Sequence, residues 1–295
     1  MTRLHVVDGT YELFRAHFTK RPGHTAPWKQ DVKATVGIVW SLLALLHEEA
    51  EAVTHLAVAF DNPVRSFRND LYAGYKTEEG VDPALLAQFD LAEEATRAMG
   101  VTVWSMDKWE ADDAMATAAA RWAGDVDQVR IMTPDKDLGQ AIRGRRVVQV
   151  DRMRKKEIDE DALVLLRGVR PASIPDLLAL VGDAADGFPG LPGFGEKTAS
   201  ALLAQFAHLE AIPDDPREWP KGIRGAERLA PVLREMREAA LLYRRLATLV
   251  DDVPLGESLG DLEWKGVPRK AFDAWCDKLG VGDLRTRPTR WQVDR

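Results

Sequence analysis

The sequence has a single cysteine, Cys276, among its 295 residues. One thiol excludes an internal disulfide framework and any zinc site built on several cysteines. Long apolar runs are missing too, because the longest, residues 36–46, is shorter than the roughly 20 residues that cross a bilayer. The first residues do not begin a secretory signal. We therefore expect a cytoplasmic protein without a membrane partner.

An excess of positive charge is also lacking. The chain carries 40 Lys plus Arg against 47 Asp plus Glu, a formal net charge of −7, which at first sight argues against a nucleic-acid ligand. The 45% hydrophobic and 29% charged residues are typical of a globular protein. At about 150 residues per domain, the length predicts two domains.

In the first half of the chain, short apolar runs of β type alternate with helical patterns. The strand candidates are residues 4–7, 55–60, 101–104, 129–132 and 146–150. Apolar spacing predicts a helix within 31–50, and a second helix is indicated by Asp82 as N-cap, Pro83 at its first position and Gly100 past its end. This alternation predicts an α/β domain with a parallel sheet.

Beyond about residue 151 the patterns predict only helices, over 159–167, 174–181, 196–206 and 226–249. A turn rich in Gly and Pro, residues 187–195, separates the second of these helices from the third. The second half is therefore expected to be mainly helical.

Acidic residues recur at the ends of predicted strands, at one helix start and before the Gly/Pro turn. Ligands of an open parallel sheet bind beyond the carboxyl ends of its strands, so these side chains should converge there. Nine carboxylates have such positions: Asp8, Asp61, Glu110, Asp112, Asp113, Asp135, Asp137, Asp183 and Asp186. Any one of them alone is more often a turn or helix-cap residue, and acids at a helix start also complement the helix dipole. Their joint occurrence favours a common site.

Crowded carboxylates need cations among them, because two like charges 4 Å apart repel by about 4 kcal/mol at an effective dielectric constant of 20. Ligands that offer only oxygen select hard ions such as Mg²⁺ or Mn²⁺. Two such ions can activate water and stabilise the leaving oxygen of a phosphodiester. The acidic set therefore predicts metal-assisted phosphodiester hydrolysis.

The acids and their neighbouring motifs resemble, in order along the chain, the 5′ nuclease family of flap endonucleases, which includes the 5′ to 3′ exonuclease domain of bacterial DNA polymerase I. The resemblance covers roughly residues 4–250. Its matching segments are 7–10 (VDGT), 60–61 (FD), 67–68 (FR), 75–76 (YK), 110–113 (EADD), 133–137 (TPDKD), 182–186 (GDAAD) and 189–199 (PGLPGFGEKTA).

The resemblance implies a PIN-like α/β nuclease domain, placed at residues 1–155, with an arch or clamp at about 63–88 that admits the 5′ strand. It implies a helical C-terminal region, residues 156–295, with a helix-two-turn-helix at about 174–207 that grips duplex phosphates and often K⁺. The physical basis of that grip is that Gly193 and Gly195 let the backbone approach a phosphate at a helix N-terminus. A plain turn between helices is the alternative.

The resemblance also implies residue roles. Asp8, Asp61, Glu110, Asp112 and Asp113 would hold one Mg²⁺ or Mn²⁺ ion, and the other four acids would complete a second site. The implied catalytic residues are Asp8, Asp61, Lys76 and Arg68. The implied DNA contacts are Arg65, Tyr72, Tyr75, Gly190, Gly193, Gly195, Lys197 and Thr198. For the two tyrosines, core packing is as common as stacking on a base.

The expected substrate is DNA with 5′ ends, flaps or overhangs, cleaved by a monomer. A nucleotide cofactor is excluded, because Glu196 interrupts the Gly-Lys pair of a P-loop and no strand precedes it. Basic residues within 143–156 form either a solvated hairpin or a phosphate contact. Setting aside the nine site carboxylates makes the remaining formal charge positive, so the acidic total does not exclude DNA.

The sequence also departs from the family pattern, and one of the departures keeps an alternative open. Glu78 and Glu79 follow Lys76 where the family is usually basic, which would suit a DNA-binding relative without catalysis. Gly187 stands where Asn is common, and both residue types accept a positive φ. The α/β half alone would also fit a PIN-type ribonuclease.

Overall fold

The predicted β-runs of the first half become parallel strands in the computed structural model, which describes residues 1–293. Two units can be distinguished. The first comprises residues 1–65 and 78–133 and the chain from Asp251 onward, and the second comprises residues 66–77 and 134–250. The domain limits inferred from the sequence, with their boundary near residue 155 and an arch at about 63–88, stay a prediction.

The first unit is built on four parallel strands in the order β3-β2-β1-β4. They are β1 (Arg3–Asp8), β2 (His55–Asp61), β3 (Thr102–Met106) and β4 (Gln128–Met132). β1, β2 and β4 are almost entirely buried, as near-continuous apolar strands covered on both faces should be. Its helices are α1 (Gly9–Phe18), α2 (Lys33–His47), α4 (Pro83–Leu86), α5 (Phe89–Ala98), α6 (Ala111–Trp122) and α12 (Arg269–Leu279).

The second unit is mainly helical. Its helices are α3 (Arg68–Leu71), α7 (Glu160–Arg167), α8 (Ile174–Val181), α9 (Glu196–Phe206), α10 (Ala226–Glu235) and α11 (Arg237–Ala247). α8 is buried along nearly its whole length and contributes to an apolar core that includes Leu177, Leu202 and Tyr243. β5 (Val147–Asp151) and β6 (Lys156–Ile158) form an antiparallel hairpin. The α/β and helical fold classes are thus confirmed.

Three sequence expectations need correction. The helix expected between Asp82 and Gly100 has the predicted cap but is broken into α4 and α5. Gln88 explains the break, because its buried side chain accepts hydrogen bonds from the amides of Ala34 and Thr35 and so caps α2.

The helix expected over 226–249 is likewise two helices, which meet at Met236. Arg237, the first residue of α11, donates to the carbonyls of Leu209 and Ile212 and so anchors the new helix. β6 escaped prediction because its three residues carry no run of apolar side chains. Within residues 1–293, no helix is both long and apolar enough to span a membrane.

Candidate metal centre

The first acidic cluster lies in the first unit and comprises Asp8, Asp61, Glu110, Asp112 and Asp113. Asp8 ends β1 and caps α1: its Oδ1 accepts from the Tyr11 amide at 2.7 Å, and its Oδ2 accepts from the Thr133 hydroxyl at 2.9 Å. Asp61 ends β2 and accepts from the amide of Ala111, the first residue of α6, at 2.7 Å. The carboxylate of Asp61 therefore meets the positive end of the α6 dipole, next to Glu110.

Glu110 and Asp113 form a reciprocal capping box at the start of α6. The Glu110 amide donates to Asp113 Oδ2 at 2.9 Å, and Asp113 is fully buried. The helix-cap alternative of the sequence analysis is thus realised for this pair. Asp112, one residue earlier, is partly exposed and lies outside the box. Metal ligation by these five residues stays a prediction.

The second acidic cluster lies in the second unit, where Asp137, Asp183 and Asp186 converge. One oxygen from each of the three carboxylates lies within 4.8 Å of the others, and all three residues are buried. Asp137 Oδ1 is buried without a hydrogen-bond partner among the described residues. Burial, and then the negative charges of Asp135, Asp186 and Asp183, raise the pKa of Asp137 well above its usual value. Such an arrangement suits a cation beside the three carboxylates.

Asp135 has a different position from its neighbour Asp137. It is exposed, and its carboxylate caps the 3-10 turn Lys136–Ala141 by accepting from the Asp137 amide at 2.9 Å. It is absent from the three-carboxylate group. Asp135 acts on that group through its charge, which contributes to the raised pKa of Asp137.

Two lysines pair with the second cluster. The Lys76 ammonium lies 2.9 Å from Asp186 Oδ1, and the Lys76 amide donates to the Asp186 carbonyl at 3.0 Å. The Lys136 ammonium pairs with Asp183 Oδ2. Burial would lower the pKa of Lys136, but the hydrogen bond to Asp183 and the surrounding negative charges raise it. Lys136 therefore carries positive charge at neutral pH.

A close backbone approach fixes Lys76 beside the cluster. Gly187 has φ +87°, an angle that Gly and Asn both accept, but a Cβ there would lie only 2.1 Å from the Gly74 carbonyl oxygen. Gly187 is therefore needed for space as well as for its backbone angle. Sequence reasoning missed this contact, because the two glycines lie more than a hundred residues apart in sequence.

Arg68, an implied catalytic residue, and Tyr75, an implied DNA contact, are both buried in the structure. Arg68 is 1% exposed, and its Nε and Nη2 donate to the carbonyls of Leu246 and Thr248 at 2.8 and 3.0 Å. Tyr75 is 3% exposed within the helical core. Both side chains are thus held inside the second unit, and their roles on DNA stay predictions.

The remaining predicted contacts differ in exposure. Tyr72 is partly buried and packs edge-on against Tyr243, with the ring centroids 6.0 Å apart. Arg65 is exposed in the first unit. The structure thus realises the core-packing alternative for Tyr72 as well as for Tyr75.

The Gly/Pro turn before α9 contains a buried glycine that the turn itself requires and exposed glycines close to the N-terminus of α9. Gly190 (φ +69°) serves the turn itself, because a Cβ there would lie 2.4 Å from the Gly182 amide nitrogen. Gly193 and Gly195 are exposed, and Gly195 is the N-cap of α9. The first turn of α9 carries exposed Lys197 and partly buried Thr198. This end of α9 can accept an anion.

Comparison with known proteins finds two matching family models. The model of the 5′-3′ exonuclease N-terminal resolvase-like domain matches residues 3–165, and that of the 5′-3′ exonuclease C-terminal SAM fold matches residues 169–270. DNA polymerase I of Mycobacterium leprae is 33% identical, over 96% of this chain and 31% of the relative. That of Rhizobium leguminosarum is 35% identical, over 88% and 26%. The chain thus spans about a third or less of these relatives.

Two solved structures share the fold. The 5′-exonuclease of bacteriophage T5 with divalent zinc ions has a TM-score of 0.65 at 20% identity, covering 95% of this chain and 99% of the other. The catalytic core of Rad2 in complex with DNA has a TM-score of 0.59 at 15% identity, covering 95% and 88%.

Proposed function

Because the chain belongs to the 5′-3′ exonuclease family over both matched domains, we propose that it is a metal-dependent, structure-specific 5′ nuclease that hydrolyses DNA phosphodiesters near 5′ ends or flaps. The observation that carries this proposal is the second cluster, in which three buried carboxylates converge within 4.8 Å. Burying three carboxylates together does not stabilise a fold, because their charges lose hydration and repel one another. As ligands of a metal ion, the same three carboxylates have a function.

The donor set suits Mg²⁺ or Mn²⁺. Asp137, Asp183 and Asp186 offer only oxygen, and the partnerless Asp137 Oδ1 is a ready ligand atom. We assign one ion to this cluster and a second ion to the first cluster. When bound, such ions supply Lewis-acid stabilisation of the charge that develops on a phosphodiester, and they lower the pKa of water.

The chain's own residues would position the reacting groups. The Thr133 hydroxyl and the Tyr11 amide orient the Asp8 carboxylate. The Lys76 ammonium, fixed by its backbone bond to Asp186, adds a positive charge that can stabilise a phosphate as it gains negative charge. We therefore propose Asp8, Asp61 and Lys76 as catalytic residues, and we propose that buried Arg68 has a structural role.

Duplex phosphates would bind at two places in the second unit. The first is the N-terminus of α9, where Gly193, Gly195 and Lys197 are exposed; a K⁺ ion bound by this turn is part of the proposal. The second is the β5–β6 hairpin together with the residues just before β5. The exposed cations of this segment are Arg143, Arg145, Arg146, Arg154, Lys155 and Lys156.

Cleavage assays test the proposal with 5′-labelled flap, overhang and single-stranded DNA in Mg²⁺. We expect cleavage near the 5′ end that is abolished in chelator and reduced at least a hundredfold by Asp183→Asn. Asp215→Asn, which removes a charge from a partly exposed acid paired with Arg217, is the control and should cleave normally. Binding of the flap without turnover in Mg²⁺ or Mn²⁺ would favour the non-catalytic relative. Preference for single-stranded RNA would favour a PIN-type ribonuclease.

We further propose that the protein acts as a monomer in the cytoplasm. The single thiol supports the monomer: Cys276 is buried, and burial raises its pKa to about 11, so no reactive cysteine is available for an intermolecular disulfide. Sedimentation equilibrium across micromolar concentrations tests the oligomeric state, and a mass of 32.8 kDa is expected.

A further inference from the structure

The second cluster contains two lysine–carboxylate pairs, and they are held in different ways. Lys76 is tied to Asp186 through its backbone as well as its ammonium, and the contact between Gly74 and Gly187 packs its segment against the acidic loop. Among residues 1–293, the Lys136 side chain forms its hydrogen bond with the carboxylate of Asp183 and is held by no backbone contact of this kind. The two ammonium groups therefore differ in how readily they can leave the cluster.

The hydrogen bonds of Asp183 show what Lys136 covers. Asp183 Oδ1 accepts from the amides of Ala185 and Asp186, at 2.9 and 3.4 Å, so this oxygen is committed to the loop. Asp183 Oδ2 is the oxygen that pairs with Lys136. A metal ion that binds Asp183 Oδ2 thus competes with the Lys136 ammonium for this oxygen.

A cavity of about 200 Å³ beside Lys136 gives its side chain room to move. The wall includes Ile174, Leu177 and Leu178 of α8, on which the aliphatic part of a lysine can lie. Glu196, whose carboxylate pairs with Arg167 at 2.6 Å, also lines the cavity and can share its negative charge with a second cation. A Lys136 ammonium displaced from Asp183 can therefore move into this cavity and lie near the carboxylate of Glu196.

We propose that Lys136 is a resident counter-cation, which neutralises Asp183 when the second cluster is empty and which a divalent ion must displace in order to bind. This inference rests on the proposed function, in that it takes the second cluster as a divalent-ion site. Lys136 thereby sets the metal concentration at which the site fills. Two effects of opposite sign follow from removal of its charge.

Neutralising Lys136 should destabilise the metal-free protein, because the three carboxylates lose a counter-charge. It should also tighten metal binding, because no ammonium then competes for Asp183 Oδ2. We expect Lys136→Met to bind Mn²⁺ at the second cluster about tenfold more tightly than the wild type, since a partly buried charge pair no longer has to be broken. Its melting temperature should be lower in chelator, and its rise on adding Mn²⁺ should be larger.

Mn²⁺ binding is measured on the full chain without DNA, by electron paramagnetic resonance and by titration calorimetry, and the second cluster is identified as the site lost in Asp183→Asn. Lys136→Gln is a second neutral variant, and Lys136→Arg, which keeps the charge, should bind Mn²⁺ like the wild type. Lys278→Met is the matched control, because it removes a lysine paired with a single carboxylate, Glu94. It should leave Mn²⁺ affinity unchanged.

Two outcomes overturn the inference and can be told apart. If the wild type binds Mn²⁺ at the site lost in Asp183→Asn, but both neutral variants bind it equally or more weakly, Lys136 is not a competitor and the proposed function stands. If the wild type has no Mn²⁺ site that depends on Asp183, the metal premise of the proposed function fails, and the inference fails with it.

Discussion

Gly187→Ala should destabilise the second unit in two ways, by a steric clash of the added Cβ and by the conformational cost of alanine at a positive φ. A control variant can separate the two effects. Alanine at φ +87° costs about 1–2 kcal/mol. The added Cβ, 2.1 Å from the Gly74 carbonyl oxygen, must also push the two backbone segments apart. This movement would break the bond from the Lys76 amide to the Asp186 carbonyl and weaken the ion pair between the same residues. Each of these two interactions contributes about 1 kcal/mol.

The expected loss in the free energy of unfolding is therefore about 3–4 kcal/mol for Gly187→Ala. Gly222→Ala is the matched control, because Gly222 has φ +93° but nothing within 4 Å of an added Cβ. It should cost only the backbone term, about 1–2 kcal/mol. Urea unfolding followed by circular dichroism gives both values.

Cleavage kinetics provide a second readout of the same contact. Because Gly187→Ala displaces Lys76, its kcat on a 5′ flap should fall at least tenfold, whereas Gly222→Ala should retain the wild-type kcat. Equal stability of the two alanine variants would refute the reasoning, since the clash would then have no energetic weight. An unchanged kcat in a destabilised Gly187→Ala would show that Lys76 need not be held at Asp186.

Three further results are expected. Arg68→Met should lower the free energy of unfolding by about 2–4 kcal/mol, measured in urea, because buried carbonyls lose charged donors; an equally stable variant would contradict the buried role. Gln88→Ala should cost about 1–2 kcal/mol in the same assay by uncapping α2, with unchanged stability as the contrary outcome. Stability should fall as the pH drops below 6.5, because burial lowers the pKa of His5 and only the unfolded chain gains that proton. It should fall further from pH 4.5 towards 2, because burial of Glu51 is outweighed by hydrogen bonds from His5 and Arg130 that lower its pKa to about 2; urea midpoints of Glu51→Gln should show a smaller second decline than the wild type.

Strand positions could be predicted from sequence because buried parallel strands consist of nearly continuous apolar residues. β1 and β2 begin and end within about one residue of the predicted limits. Helix breaks could not be predicted, because the reason for them lies elsewhere in the chain. The Gln88 side chain accepts hydrogen bonds from two amides of α2 at the point where α4 and α5 separate, and nothing in the neighbouring sequence indicates this contact.

The candidate acids could be predicted as a set, but not the part that each one plays. Asp135 and Asp137 are two residues apart in one motif, yet one is exposed and caps a turn while the other is buried and lacks a partner for Oδ1. Arg68 and Tyr75 lie in motif-like positions, but a motif does not tell which face of a short segment is buried. Lys136 was visible in the sequence between two acids, and only the structure shows that it covers Asp183.

The acidic composition of the chain is compatible with a polyanionic substrate because some of its negative charges are buried, whereas many of its positive charges are exposed. In the second unit, Asp137 and Asp183 are buried and turned towards one point, whereas the cations of the β5–β6 hairpin are exposed. A phosphate that approaches from solvent meets the exposed cations, while the buried acids meet small cations that can enter between them. Net charge therefore averages over two populations that act on different partners, and its sign does not decide whether the chain binds DNA.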